Sequence, residues 1–154
     1  KEQDQEKVNS KHADFIQKMK SALNDRVDVI NISQRLVESA ACVVPGDNDL
    51  PPQMKRMLEA SGQQLPETKP ILEINADHDL INELQNTKNH DFFNSLSNVI
   101  LDHALISDGE QLQNPSDYVK RVSSLLINKS SSKPSSKKKI SKKKVTKKKA
   151  SKKK

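Results

Sequence analysis

The side chains best suited to metal binding or acid–base work are four histidines, His12, His78, His90 and His103, and a single cysteine, Cys42. The histidines lie 66, 12 and 13 positions apart. Two ligands on one helical face need an i, i+4 spacing, and a zinc loop needs Cys-x-x-Cys. Neither occurs, so no metal site is expected. His78, inside Asp77-His78-Asp79, reads as part of a helix start. His103 falls on an apolar helical pattern, where it could tune an interface near pH 6, although a satisfied core histidine is the plainer reading. Cys42 stands in an apolar run without a basic neighbour in sequence, which fits a buried, inert thiol. Gly46, Gly62 and Gly109 are too scattered for a phosphate loop, and no nucleophile-elbow pattern appears. The chain offers no catalytic and no cofactor-binding constellation, and is not expected to be an enzyme by itself.

Composition points the same way. A length of 154 residues is a prior for one domain. From Lys129 onward there are 14 lysines and no acid; the preceding 128 residues carry 13 Lys and Arg against 20 Asp and Glu, or −7. The basic character therefore belongs to the carboxyl end alone. One cysteine excludes a disulfide framework and fits a reducing, cytoplasmic compartment. No stretch approaches 18 consecutive apolar residues, so no membrane helix is expected. The opening Lys-Glu-Gln-Asp, without Met, suggests a piece of a longer chain. With 32% apolar and 3% aromatic residues, the core must be small and aliphatic, and such a domain often gains stability by burying surface against a partner.

The elements that would hold these residues follow from periodicity and turn signals. Residues 1–12 are polar and read as a lead-in or linker. Ala13, Phe15, Ile16, Met19, Ala22 and Leu23 recur at helical spacing, with Asn24-Asp25 as a stop. Val27–Ile32, Ala40–Val44 and Ile71–Ile74 read as three short strands. Pro52–Ala60 reads as a helix with Pro at its start and Gly62 past its end. Asp77 can cap a short helix carrying Leu80, Ile81 and Leu84. A longer helix over about His90–Ser107 exits at Gly109, and Asn114-Pro115-Ser116-Asp117 opens a last helix running to about Asn128. The result is an α+β fold: a small three-stranded sheet with flanking helices, then a C-terminal helical hairpin, all within a domain spanning residues 13–128.

Both hairpin helices are apolar over more than a single stripe. A wide apolar arc implies more than one neighbour, and three short strands offer little cover. A second copy would complete it, giving a four-helix bundle about a two-fold axis in a homodimer. The candidate interface is Leu96, Val99, Ile100, Leu105, Tyr118, Val119, Val122, Leu125 and Leu126. The alternative, both helices folding over the sheet of a monomer, has the same periodicity.

Residues 129–154 form a Lys-rich tail in which a lysine triplet recurs every five residues. That period suits neither helix nor strand, so a disordered tail is expected. Lys137, Lys138, Lys139, Lys142, Lys143, Lys144, Lys147, Lys148 and Lys149 would bind polyanions such as nucleic acid by counterion release. With no aromatic among them, that binding would be non-specific in sequence. A nucleic-acid-associated protein acting through this tail is the alternative function; a merely solvated charge run is the bland one.

From about Asp14 to Asn128 the chain resembles the C-terminal domain of the heat-shock protein 90 chaperones, of the bacterial HtpG type. The resemblance rests on Val27-Asp28-Val29, Arg35-Leu36-Val37-Glu38-Ser39, Gln53-Met54-Lys55-Arg56-Met57-Leu58, Ala60-Ser61-Gly62-Gln63, Leu72-Glu73-Ile74-Asn75 with Asp77-His78, and the Asn114-Pro115 helix ending in Leu125-Leu126, in that order. Ala40 and Ala76 stand where the family often has Pro, which implies looser turns. The acidic ending that docks tetratricopeptide co-chaperones in eukaryotic relatives is absent. The resemblance implies a constitutive homodimer through the last two helices, in a chaperone of the stress response that binds unfolded client proteins. It also implies client contact by Met54, Met57 and Leu58 on an amphipathic helix, which methionine's flexibility suits; packing onto the sheet is the alternative. ATP and Mg would belong to the parent chaperone's N-terminal domain, which this chain lacks.

Overall fold

Six helices and three strands run through residues 2–46, 49–66 and 68–131, the part of the chain that the computed structural model describes. The order is α1 (Glu2–Lys11), α2 (Ala13–Ala22), β1 (Ile30–Ile32), β2 (Ala41–Val44), α3 (Pro52–Ala60), β3 (Ile71–Ile74), α4 (Asp79–Asn86), α5 (His90–Ser107) and α6 (Pro115–Ser131). The architecture is α+β, with a small three-stranded sheet. The Lys-rich stretch from residue 132 to 154 lies outside the described residues.

β3 is the central strand, parallel to β1 and antiparallel to β2. Alternation along the strands separates two faces. Ile30, Ile32, Val43, Leu72 and Ile74 are buried on one of them, under α1, α2 and α5. On the other, Asn31, Glu73 and Cys42 stand in register across the three strands. There the Glu73 carboxylate accepts from Ser33 Oγ at 3.2 Å and Arg35 Nε at 3.0 Å.

Several spans differ from those read off the pattern. Residues 1–12, expected as a lead-in, are helical over Glu2–Lys11. The anchor is long-range: Val8 packs on the core, and Asn9 bonds to β1. Its Oδ1 accepts from Ile32 N–H at 3.0 Å while its Nδ2 donates to Asn31 Oδ1 at 3.0 Å. A free sheet edge exposes unpaired backbone groups, and α1 covers part of this one. β1 is shorter than expected, because Val27 through Val29 run alongside β3 with only single bonds, Asp28 N–H to Pro70 O and Leu72 N–H to Val29 O. The short helix is capped by His78, not Asp77: His78 Nδ1 accepts from Leu80 N–H at 3.1 Å. The last helix continues three residues beyond Asn128, to Ser131.

The turns next to Ala40 and Ala76, expected to be loose without Pro, are tied by one buried residue, Asn75. Its N–H donates to Ala40 O at 2.8 Å, its Nδ2 to Val37 O at 3.2 Å, and its Oδ1 accepts from Asp77 N–H at 3.1 Å. α5 ends as its glycine predicts. Gly109, at φ +86°, donates to Ile106 O, and Glu110 N–H donates to Leu105 O; the left-handed residue satisfies two terminal carbonyls and turns the chain toward α6.

Candidate functional site

α5 is the pivot of the subunit. It packs against β2, α2, α4 and α6 at once, and that accounts for its wide apolar arc without any second molecule. Leu96 and Val99 are 5% exposed and Ile100 1%. These three, placed at an intermolecular interface by pattern, are thus interior residues of the subunit. Periodicity reports how much of a helix is apolar, and α5 has enough neighbours of its own to use nearly all of it, Ile106 excepted. Leu105 is partly buried against the same core.

α6 is different. Tyr118, Val122 and Leu125 are half-buried, and Leu125 packs on the core. Val119, Leu126 and Ile127 stay 59%, 66% and 64% exposed. At 100° per residue, Val119 and Leu126 lie roughly 90° round the helix from Tyr118, Val122 and Leu125. α5 therefore covers one part of the apolar arc of α6 and leaves the adjoining part open. Ile106, near the end of α5, is also exposed, at 46%. Neither Ile106 nor Ile127 is in the candidate interface, although the sequence pattern counts both among the apolar residues of their helices. Both belong to apolar runs, Ala104–Ile106 and Leu125–Ile127, which are the available signal.

Polar groups set the angle of this hairpin. Asp102, 3% exposed in the middle of α5, accepts from Arg26 Nη2 at 2.5 Å. Its second oxygen lies 3.7 Å from Arg121 Nη1 on α6. Asn98 on the same face accepts from Arg26 Nη1 at 2.9 Å and donates to Ala22 O and Asn94 O. One carboxylate thus joins the end of α2 to α5 and α6. The signal in the sequence is an acid within an otherwise apolar stretch, but its partners 76 and 19 positions away are not legible there. His103 Nε2 lies 2.7 Å from Tyr118 Oη, with the rings edge-on, and this exposed pair closes the hairpin on its other side.

α3 buries none of its residues. Met54 and Met57 are 47% and 69% exposed, and Leu58 is half-buried. The helix is tethered through Lys55, whose Nζ sits 2.8 Å from Asp49 and 3.6 Å from Glu110 in the loop after α5. Thr68 Oγ1 also donates to Asp49, at 2.6 Å. Burial acts to raise the Asp49 pKa, but the bonds from Lys55 and Thr68 and the lysine charge outweigh it and hold the carboxyl below its ordinary range. Burial likewise acts to lower Lys55, and Asp49, then Glu110, reverse that and push it up.

The remaining polar side chains are dispersed. Burial first, and then the Glu73 carboxylate, push the Cys42 thiol up, with Arg35 opposing; the protonated thiol is a poor nucleophile. Among the described residues no three His, Cys, Asp or Glu side chains converge on a metal-sized space, and no helix is long and apolar enough to cross a membrane. The nine tail lysines lie outside the described residues.

This geometry defines a small α+β domain whose distinctive surfaces are two partly uncovered amphipathic helices. The family profile described as Hsp90 protein matches residues 1–154. The chain is 44% identical over 123 residues to the chaperone protein HtpG of Psychrobacter arcticus, covering 79% of this chain and 19% of that relative. It is 42% identical over 113 residues to that of Bordetella avium (73% and 18%), and 44% over 112 residues to that of Acinetobacter baylyi (73% and 17%). The chain belongs to the Hsp90 family, and it spans about a fifth of the length of the curated relatives it matches.

Proposed function

We propose that this chain is the C-terminal homodimerisation domain of an HtpG-type molecular chaperone of the cytoplasm. In this reading α5 and α6 of two copies associate as a four-helix bundle. The parent protein assists folding, and its ATP and Mg chemistry resides in a domain outside this chain, so this domain itself hydrolyses nothing. Met54, Met57 and Leu58 on the tethered helix α3 face unfolded clients.

The observation that carries the reading is the uncovered aliphatic surface of α6. Full burial of a large aliphatic contributes roughly 1.5–3 kcal/mol. For three side chains about two-thirds exposed, in two copies, this comes to on the order of 6–12 kcal/mol, against an association cost of at least about 4 kcal/mol. The test is light scattering with size-exclusion chromatography on the full chain. A dimer is expected at tens of micromolar, and Leu126→Glu should split it, since each copy then carries a charge into an apolar contact. Val37→Glu, at a valine 85% exposed and remote in sequence from the hairpin, should leave it intact. A monomeric wild type, or a Leu126→Glu dimer of undiminished strength, refutes the reading.

A further inference from the structure

The apolar pattern of α6 does not fix which of its edges faces inward. Tyr118, Val122 and Leu125 are half-buried against the subunit, while Val119 and Leu126 stand open. At 100° per residue, a roll of about 60° about the helix axis would keep Val122 inward and exchange Leu125 for Leu126 and Tyr118 for Val119. The rolled helix would bury three aliphatic side chains in place of two and a tyrosine. Apolar burial is non-directional and follows area, so it separates the two rolls only weakly.

Polar contacts separate them. Three ties run along the inward side of α6, one near each end and one between. Tyr118 Oη lies 2.7 Å from His103 Nε2 on α5. Arg121 Nη1 lies 3.7 Å from the buried Asp102 carboxylate, also on α5. Lys129 Nζ lies 2.8 Å from Glu83 on α4. The three residues fall within about 80° of one another round the helix, with side chains reaching roughly 5–6 Å from its axis. The same roll would therefore carry each tip by about 5–6 Å. A contact of 2.7 or 2.8 Å does not survive a displacement of that size, and Asp102 would be left with Arg26 alone.

We propose that these ties, rather than apolar packing, fix the roll of α6, so that Tyr118, Arg121 and Lys129 are the positioning residues that present the edge carrying Val119 and Leu126 to a second copy. What meets that edge rests on the dimer reading; the roll itself does not. Weak pairs suffice for this task. A single exposed pair shifts an equilibrium by up to about fivefold, and three that break together shift it by roughly a hundredfold. That is enough to choose between two arrangements that bury similar apolar area.

The test reads the roll directly, on the full chain. Leu125→Cys and Leu126→Cys are made singly in a Cys42→Ala background, and the rate of maleimide labelling is measured at each position. Labelling is done at a dilution where size-exclusion chromatography shows monomer, so that no partner shields position 126. With the ties intact, the thiol at position 126 should label at least about fivefold faster than the one at position 125. Adding Tyr118→Phe, Arg121→Gln and Lys129→Gln should bring the ratio to about one, with circular dichroism unchanged. The same three substitutions in the otherwise wild-type chain should raise the dimer dissociation constant at least about tenfold. Arg121→Lys with Lys129→Arg, Tyr118 being retained, should keep both readouts at their wild-type values. Should the triple variant lose helical signal, Tyr118→Phe with Lys129→Gln, which spares the Asp102 pair, is read in its place. A labelling ratio that the substitutions leave unchanged overturns the proposal even if dimerisation falls, because apolar packing would then hold the roll unaided. A wild type that stays monomeric at every concentration while the ratio responds upholds the roll and refutes the dimer reading alone.

Discussion

Replacing Asp102 by Ala removes the one carboxylate shared by Arg26 and Arg121. The side chain is 4% exposed, and each arginine 34%. Breaking a fully buried ion pair by deleting one partner costs about 3–5 kcal/mol, because the other charge is stranded. Here both arginines keep access to water, so the loss belongs nearer 2–3 kcal/mol, to which the disturbed Arg26–Asn98 bond adds only in part. Urea denaturation at fixed protein concentration, with wild type alongside, measures the loss, and thermal unfolding of the same pair should show a melting temperature lower by about 8–12 °C, at roughly 4 °C per kcal/mol for a domain of this size. Asp117→Ala is the internal comparison. Its pair with Lys120, at 3.7 Å, is exposed and should be worth no more than about 1 kcal/mol. A double-mutant cycle between Arg26→Ala and Asp102→Ala should give a coupling of at least about 1 kcal/mol. Equal losses for Asp102→Ala and Asp117→Ala, with no coupling in the cycle, would show that the hairpin is held by apolar packing alone and that the carboxylate merely occupies space.

Three further outcomes follow from the packing. Phe93→Ala empties a fully buried site that meets Phe15 edge-on with centroids 6.2 Å apart and lies under Lys18 Nζ at 4.3 Å; it should cost about 3–5 kcal/mol by denaturant melting, and a loss under about 1 kcal/mol would contradict the assigned core. Asp49 has its folded pKa held below the unfolded value, so its contribution is present above the ordinary carboxylate range and disappears as pH falls through the folded pKa. Asp49→Asn should therefore flatten part of the acid limb of stability against pH, and an unchanged limb would remove the Lys55–Asp49 tether from the account. Gly109→Ala should destabilise by about 1 kcal/mol purely through backbone strain, because φ is +86° and, its own chain neighbours apart, nothing lies within 4 Å of the point an added methyl would occupy; a neutral result in the same assay would mean the turn re-forms otherwise.

Local signals carry far in this chain. Ile71–Ile74, Pro52–Ala60 and His90–Ser107 have the bounds that alternation, the Pro start and the glycine exit imply. Such features depend on neighbours within a turn or two. α1 escapes that kind of reading because its residues are polar, and its anchoring runs through Asn9 to β1, 22 and 23 positions away. His78 displaces Asp77 as cap because capping depends on backbone direction at one residue, which the composition of Asp77-His78-Asp79 leaves open.

By itself the amino-acid order determined the succession of elements from α2 onward, the acidic body with its basic end, and the family resemblance that residues 1–154 bear out at the level of Hsp90. Only the tertiary structure decided which apolar residues are spent within the subunit. Leu96, Val99 and Ile100 are enclosed, while Val119, Leu126 and Ile127 are not. The physical reason is that periodicity fixes the direction in which a side chain leaves its helix, whereas burial depends on what stands in that direction, and in α5 that is β2, α2, α4 and α6 together.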